Sequence, residues 1–271
     1  MSQHQDLHTW LSQGTALYQV GRYEGAIARF DKFLKAQPKH VDGWEQRGFA
    51  LYHLGAYEEA LASFETALQL KPKHNLAWHG KGLALAKLGK YEEAIDSFAR
   101  ALKLNPDDDK AWYNHGHALS CLYRYKEAVV SFAHTVELRP SYYRAWYSRA
   151  VALAALRQYD DSLANLDTVL TLKQDCYYAW NYRGLVLCKL NRYPEAMVSF
   201  ERSLKHRADN PNAWYGKACT CALQGDIEQA VKFLHRAIVL SPNLYRVMAQ
   251  TDASFDNVRE DEQFQALILN R

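Results

Sequence analysis

Residues 77–106 read AWHGKGLALAKLGKYEEAIDSFARALKLNP. Trp78 and Gly82 stand four apart, so they share one face of a helix. A second helical stretch carries Tyr91, Ala94, Phe98 and Ala101. Pro106 lacks an amide hydrogen and cannot continue it. The segment therefore predicts two helices of about 13–14 residues, each roughly 20 Å long, joined near Gly89. Gly82 and Ala94 let the two approach closely, and Tyr91 and Phe98 fill the space beside them.

Working outward, the pattern returns. The tryptophans are Trp10, Trp44, Trp78, Trp112, Trp146, Trp180 and Trp214, each 34 residues from the next, with none off the series. A fixed period of this size marks stacked repeats. With Trp at the fourth place, the frames are 7–40, 41–74, 75–108, 109–142, 143–176, 177–210 and 211–244. The eighth place is small: Gly14, Gly48, Gly82, Gly116, Ala150, Gly184 and Ala218. The twenty-fourth is bulky: Phe30, Phe64, Phe98, Phe132, Leu166, Phe200 and Leu234. Tyrosine holds the seventeenth place in every frame but the last, which has Ile227. Pro194 and Pro211 fall at helix starts, where proline is tolerated.

The frame Ala-Trp-x-x-x-Gly-x-x-Leu-x-x-x-Gly-x-Tyr-x-x-Ala-x-x-x-Phe-x-x-Ala-x-x-x-x-Pro resembles the tetratricopeptide repeat (TPR) over 7–244. The resemblance implies an all-α, right-handed α-solenoid superhelix of seven helical hairpins with a concave groove. The expected organisation is a repeat array over 1–244 and a C-terminal cap over 245–271. In the tail, Phe255, Val258, Phe264 and Leu267 are apolar among acidic residues, and Met248 stands where an eighth Trp would be. This reads as one broken helix and a terminal helix covering the last repeat, as solenoid ends require. Repeat 5, with Ala150, Ser162, Leu166 and Val169, departs most from the frame, and repeat 6 ends on Ala208 without a proline. These departures read either as ordinary sequence drift at similar stability or as a softer stretch between repeats 5 and 7. If the Trp series is core, Trp112→Ala should cost about 3–5 kcal/mol.

Composition narrows the function. The 33 Lys+Arg nearly balance 30 Asp+Glu, for a formal charge of +3 over 271 residues. No basic stripe of the kind nucleic-acid binding needs runs through the repeats. No apolar run approaches the roughly 18 residues of a membrane span, and the first residues lack a signal-peptide layout. Five scattered Cys give no disulfide framework. The expectation is a cytoplasmic protein of bacterial aspect, with no cofactor, nucleic acid or membrane insertion. No catalytic or metal set stands out, because Cys219 and Cys221, like His115 and His117, lie two apart and face different sides of a helix. Asp107-Asp108-Asp109 reads as a solvated turn with Asp109 capping the next helix. An enzyme is therefore not expected.

In the TPR family the first helix of each repeat lines the groove. The resemblance implies partner contacts at the second, fifth, sixth, ninth, twelfth and thirteenth places. The carboxylate clamp of chaperone-binding members is missing, since His79 and Leu83 stand where Lys and Asn would precede Asn114 and Arg144. The asparagine ladder of glycosyltransferase-linked members is missing too. What stands out is an aromatic, mildly basic set: Lys110, Tyr113, Asn114, His117, Arg144, Tyr147, Tyr178, Asn181 and Tyr215. Small neighbours such as Ser120, Cys121, Ala154 and Ala155 leave room for a pocket beside the tyrosines. The set predicts a scaffold or adaptor holding a peptide or helix with an apolar or aromatic anchor and an acidic group. Assembly factor and self-assembling homo-oligomer are the alternatives.

Overall fold

The computed structural model describes residues 2–269, with side chains from residue 7. All regular structure among them is helical. Contacts divide the chain into two compact units, Met1–Pro140 and Ser141–Arg271. The first contains α1 (Ser2–Gln19), α2 (Tyr23–Ala36), α3 (Val41–Leu54), α4 (Tyr57–Leu70), α5 (Asn75–Lys87), α6 (Tyr91–Leu104), α7 (Asp109–Cys121) and α8 (Tyr125–Leu138). The second contains α9 (Tyr143–Ala155), α10 (Tyr159–Leu172), α11 (Tyr177–Lys189), α12 (Tyr193–His206), α13 (Pro211–Leu223), α14 (Ile227–Leu240), α15 (Pro242–Thr251), a 3-10 helix (Ala253–Val258) and α16 (Glu262–Leu269). Within each unit, helices pair as hairpins and each hairpin packs on the next. None is long and apolar enough to cross a membrane.

The seventeenth-place residue opens the second helix of every repeat. At the turn before it the backbone enters the left-handed region. Glycine occupies that turn in repeats 1, 2, 3 and 7, but Tyr123 (φ 59°), Arg157 (φ 60°) and Asn191 (φ 57°) adopt it in repeats 4 to 6. A side chain there crowds the following carbonyl, so two of these residues, Tyr123 and Arg157, store strain.

Each hairpin closes on its twenty-fourth place. Phe30, Phe64, Phe98, Phe132 and Phe200 are all at most 1% exposed. The facing eighth place is glycine, where an added Cβ would come within 2.5–2.8 Å of the ring. In repeats 5 and 7 the plug is Leu166 or Leu234, and the eighth place grows to Ala150 or Ala218, all four fully buried. The departures in repeat 5 thus compensate one another. Its Ser162 hydroxyl also donates to the Ala150 carbonyl at 2.8 Å.

The tryptophans have a different place from the expected one. The described indoles are half-buried, not central. Five of them donate their N–H to the carbonyl six residues earlier: Trp44 to Pro38, Trp78 to Pro72 and Trp112 to Pro106 at 2.8 Å, Trp180 to Gln174 at 2.9 Å and Trp214 to Ala208 at 3.1 Å. Each of these five indoles fastens the loop between repeats to the helix that follows. The Asp run also differs in detail: Asp108, not Asp109, caps α7 by accepting from the Ala111 amide at 2.9 Å. The first turn of the helix already contains Asp109.

The tail folds as three short helices rather than two. Helix α15 packs on α14, the 3-10 helix crosses onto α13, and α16 rests on α14 and α15. Tyr245, Phe255, Val258, Phe264 and Ile268 are buried in one cluster with Leu234, Ala237 and Ile238 of repeat 7. Asp261 caps α16 through the Phe264 amide at 3.1 Å.

Candidate functional site

In the first unit, α7 presents Lys110, Tyr113, Asn114 and His117. Lys110 and His117 are exposed. The Tyr113 ring packs on Phe132, with centroids 5.8 Å apart. Asn114 is half-buried and held by His79, its side-chain nitrogen 3.0 Å from Nε2. The other ring nitrogen of His79 lies 3.4 Å from Asp108. That contact, outweighing burial, holds the Asp108 carboxyl below its ordinary range. Desolvation, then the charge of Lys87, lowers the pKa of His117.

In the second unit, Arg144 is exposed and reaches the Tyr143 hydroxyl at 3.4 Å. Tyr147 meets Tyr178 edge-on at 4.8 Å and Tyr182 at 5.8 Å. Burial drives the Tyr147 hydroxyl far above its usual pKa, so it stays protonated and can donate. Asn181 is buried. Tyr215 is committed to the tail. Its hydroxyl donates to Asp252 at 2.8 Å, and its ring packs on Tyr245 and Phe255. Burial would raise Asp252, but donors from Ser254, Tyr215 and Cys219 prevail and lower it.

A cavity of about 470 Å³ opens on the first-helix side of repeats 5 to 7. Ala154 and Ala155 of α9 bound it, as do Tyr182, Leu185 and Lys189 of α11 and Tyr215, Cys219 and Leu223 of α13. Tail residues Tyr245, Met248, Asp252 and Ser254 also line it. The Tyr245 hydroxyl donates to Asn212 at 2.8 Å, holding α15 to α13. Burial, then the nearby Asp252 charge, raises the Cys219 thiol well above its ordinary value. Burial likewise raises the Cys188 thiol. Protonated thiols are poor nucleophiles, so the cavity offers shape, apolar walls, one exposed ammonium at Lys189 and one bonded carboxylate.

A larger hollow of about 930 Å³ lies on the second-helix side of the same unit, along α10 and α12. Its floor holds Arg183, 2.7 Å from Asp167 and 2.9 Å from the Ser199 hydroxyl. The same arginine, aspartate and serine set recurs in the first unit as Arg47, Asp31 and Ser63, beside a hollow of about 430 Å³. A hollow that recurs with the frame is a product of packing. The first-helix cavity is lined in part by the tail, which lies outside the frame.

Of the nine partner-contact residues named from sequence, only Tyr215 lines this cavity, joined by Ala154 and Ala155 from their small neighbours. Tyr147 and Tyr178 stand behind it, in contact with Tyr182 or with each other, while Arg144 and Asn181 are not among its lining residues. Tyr182, Leu185 and Lys189 hold groove places in the frame but lack a pattern of their own. The tail residues fall outside the frame altogether.

Models of the tetratricopeptide repeat match residues 11–75 and 149–204, 76–108, and 211–244. No curated protein matches. Among solved structures, the C-terminal part of a TPR repeat-containing protein from Cytophaga hutchinsonii superposes with a TM-score of 0.68 at 18% identity, covering 92% of this chain and 99% of that one. A tetratricopeptide repeat protein from Parabacteroides merdae gives 0.66 at 17% identity, covering 98% and 100%. YrrB, described as a TPR protein with an unusual peptide-binding site, gives 0.57 at 22% identity, covering 67% and 93%. With matches over more than half of its length and a helical hairpin in each frame, the chain belongs to the tetratricopeptide repeat family.

Proposed function

We propose that the protein is a non-catalytic interaction scaffold that receives a peptide or helix of a partner protein on its first-helix side. The observation carrying this reading is the cavity of about 470 Å³ made by three successive first helices and the tail. Its apolar walls suit one bulky apolar or aromatic side chain, and Lys189 at its edge suits a neighbouring acidic group. In this reading Arg144, Tyr147, Tyr178 and Asn181 shape the approach in the second unit. Lys110, Tyr113, Asn114 and His117 offer partner contacts of their own in the first unit. Tyr215 acts as a wall, because its hydroxyl is already bonded to Asp252. The peptide-binding site for which YrrB is described accords with this reading.

The test is selection of peptides from a displayed library on the intact protein, followed by affinity measurement on an Ala155→Trp variant. Ala155 is exposed at the cavity, so the indole fills space without disturbing the core. Affinity should fall at least about tenfold, as expected for a lost hot-spot pocket, with unchanged melting. Equal binding by the variant overturns the reading.

A further inference from the structure

Three side chains in the first unit converge away from the proposed partner cavity. Asp42 and Glu45 lie one turn apart on α3, and His74 stands at the junction leading into α5. The His74 Nε2 atom is 3.3 Å from Asp42 Oδ1 and 3.1 Å from Glu45 Oε2. All three ligand atoms fall within 4.8 Å of one another. His74 and Glu45 are nearly buried, with side chains 9% and 13% exposed, whereas Asp42 is 67% exposed and leaves the cluster open to solvent.

We infer that Asp42, Glu45 and His74 form a binding site for one first-row divalent cation, Zn²⁺ above all, with water in the remaining position.

Four observations carry this. First, a tetrahedral ion with bonds of about 2.0–2.1 Å holds its ligand atoms about 3.3 Å apart, which matches the two imidazole–carboxylate distances. Second, a single imidazole nitrogen can give one proton to one oxygen, yet here it faces two carboxylates. A divalent cation satisfies both carboxylates. Third, His74 does not perform the capping task that its position performs in two other repeats. At the same place in the frame, His40 caps α3 through the Gly43 amide at 3.0 Å and Asp108 caps α7. His74 makes no such bond to α5 and turns to the carboxylates instead. Fourth, the next repeat contains a closed counterpart. There His79 and Asp108 exchange the imidazole and carboxylate places, the second carboxylate is replaced by Leu76, and Asn114 occupies the other ring nitrogen. The donor set of one imidazole and two carboxylates suits Zn²⁺ and its neighbours better than Mg²⁺ or Ca²⁺, which prefer oxygen alone.

Calorimetric titration of the untagged 271-residue chain with Zn²⁺, and visible absorption with Co²⁺, test the site. One equivalent should bind, with a tetrahedral Co²⁺ spectrum. Asp42→Asn and His74→Asn should each lower affinity at least about tenfold, which even outer-shell changes reach. His74 is buried, and its variant can fail to fold, so the exposed Asp42→Asn variant decides the matter alone. Absence of saturable binding by the parent protein, or equal affinity in Asp42→Asn, overturns the proposal.

Discussion

Repeats 3 and 5 solve one packing problem with the volume divided differently. Repeat 3 sets a full Phe98 ring against Gly82, and repeat 5 sets Leu166 against Ala150. In both, the two residues are sealed from solvent. Judged by agreement with the frame, repeat 5 looks degraded; judged by contact, it is a coordinated exchange of one large and one absent side chain for two of medium size. Conformity to a repeat pattern is therefore a poor measure of packing when departures come in facing pairs.

The comparison can be broken at its centre. Phe98→Ala should lose about 3–5 kcal/mol in urea unfolding, because no side chain at Gly82 can fill the cavity. Gly82→Ala should lose about 1–3 kcal/mol, since the new Cβ would meet the ring at 2.6 Å. Adding Phe98→Leu should recover stability, with a coupling of about 1 kcal/mol or more, and Ala150→Gly should likewise rescue Leu166→Phe. Simple additivity in either cycle would show that the pairs are unrelated. Trp112→Ala should lose about 2 kcal/mol, less than Phe98→Ala, because it removes a half-buried ring and one hydrogen bond.

Repeat 7 has the same alanine–leucine division beside the tail, which permits a sharper test. Asp252→Asn should lose about 1–2 kcal/mol at neutral pH by weakening bonds from Tyr215 and Ser254. Its folded-state pKa is lowered, so its contribution is present above the ordinary aspartate range. It disappears as pH falls through the folded value. The gap between parent and variant in pH-resolved melts should therefore close on the acid side; a constant gap refutes the assignment. The smallest effect is a gain: Tyr123→Gly and Arg157→Gly should each stabilise by about 0.5–1 kcal/mol through relief of the left-handed turn.

Helix positions were legible because small and bulky residues recur at fixed distances, and Tyr at the seventeenth place opens the second helix of six repeats. The role of the indoles was not, because a hydrogen bond to a loop carbonyl leaves no mark beyond the Trp itself. The cavity was legible in part. Ala154 and Ala155 mark its floor, but its closure depends on Tyr245, Asp252 and Ser254, which follow no period. The Asp42, Glu45 and His74 cluster was missed because His74 follows Glu45 by 29 positions, and only the folding of the hairpin joins them.

The indole bonds have an optical consequence. Five indoles sit at equivalent corners, each tied to the backbone six residues earlier. Release of a corner would hydrate its ring and shift its emission to the red. A series retaining one Trp at a time, with Phe at the others, turns this architecture into a set of local fluorimeters that record in which order the corners open.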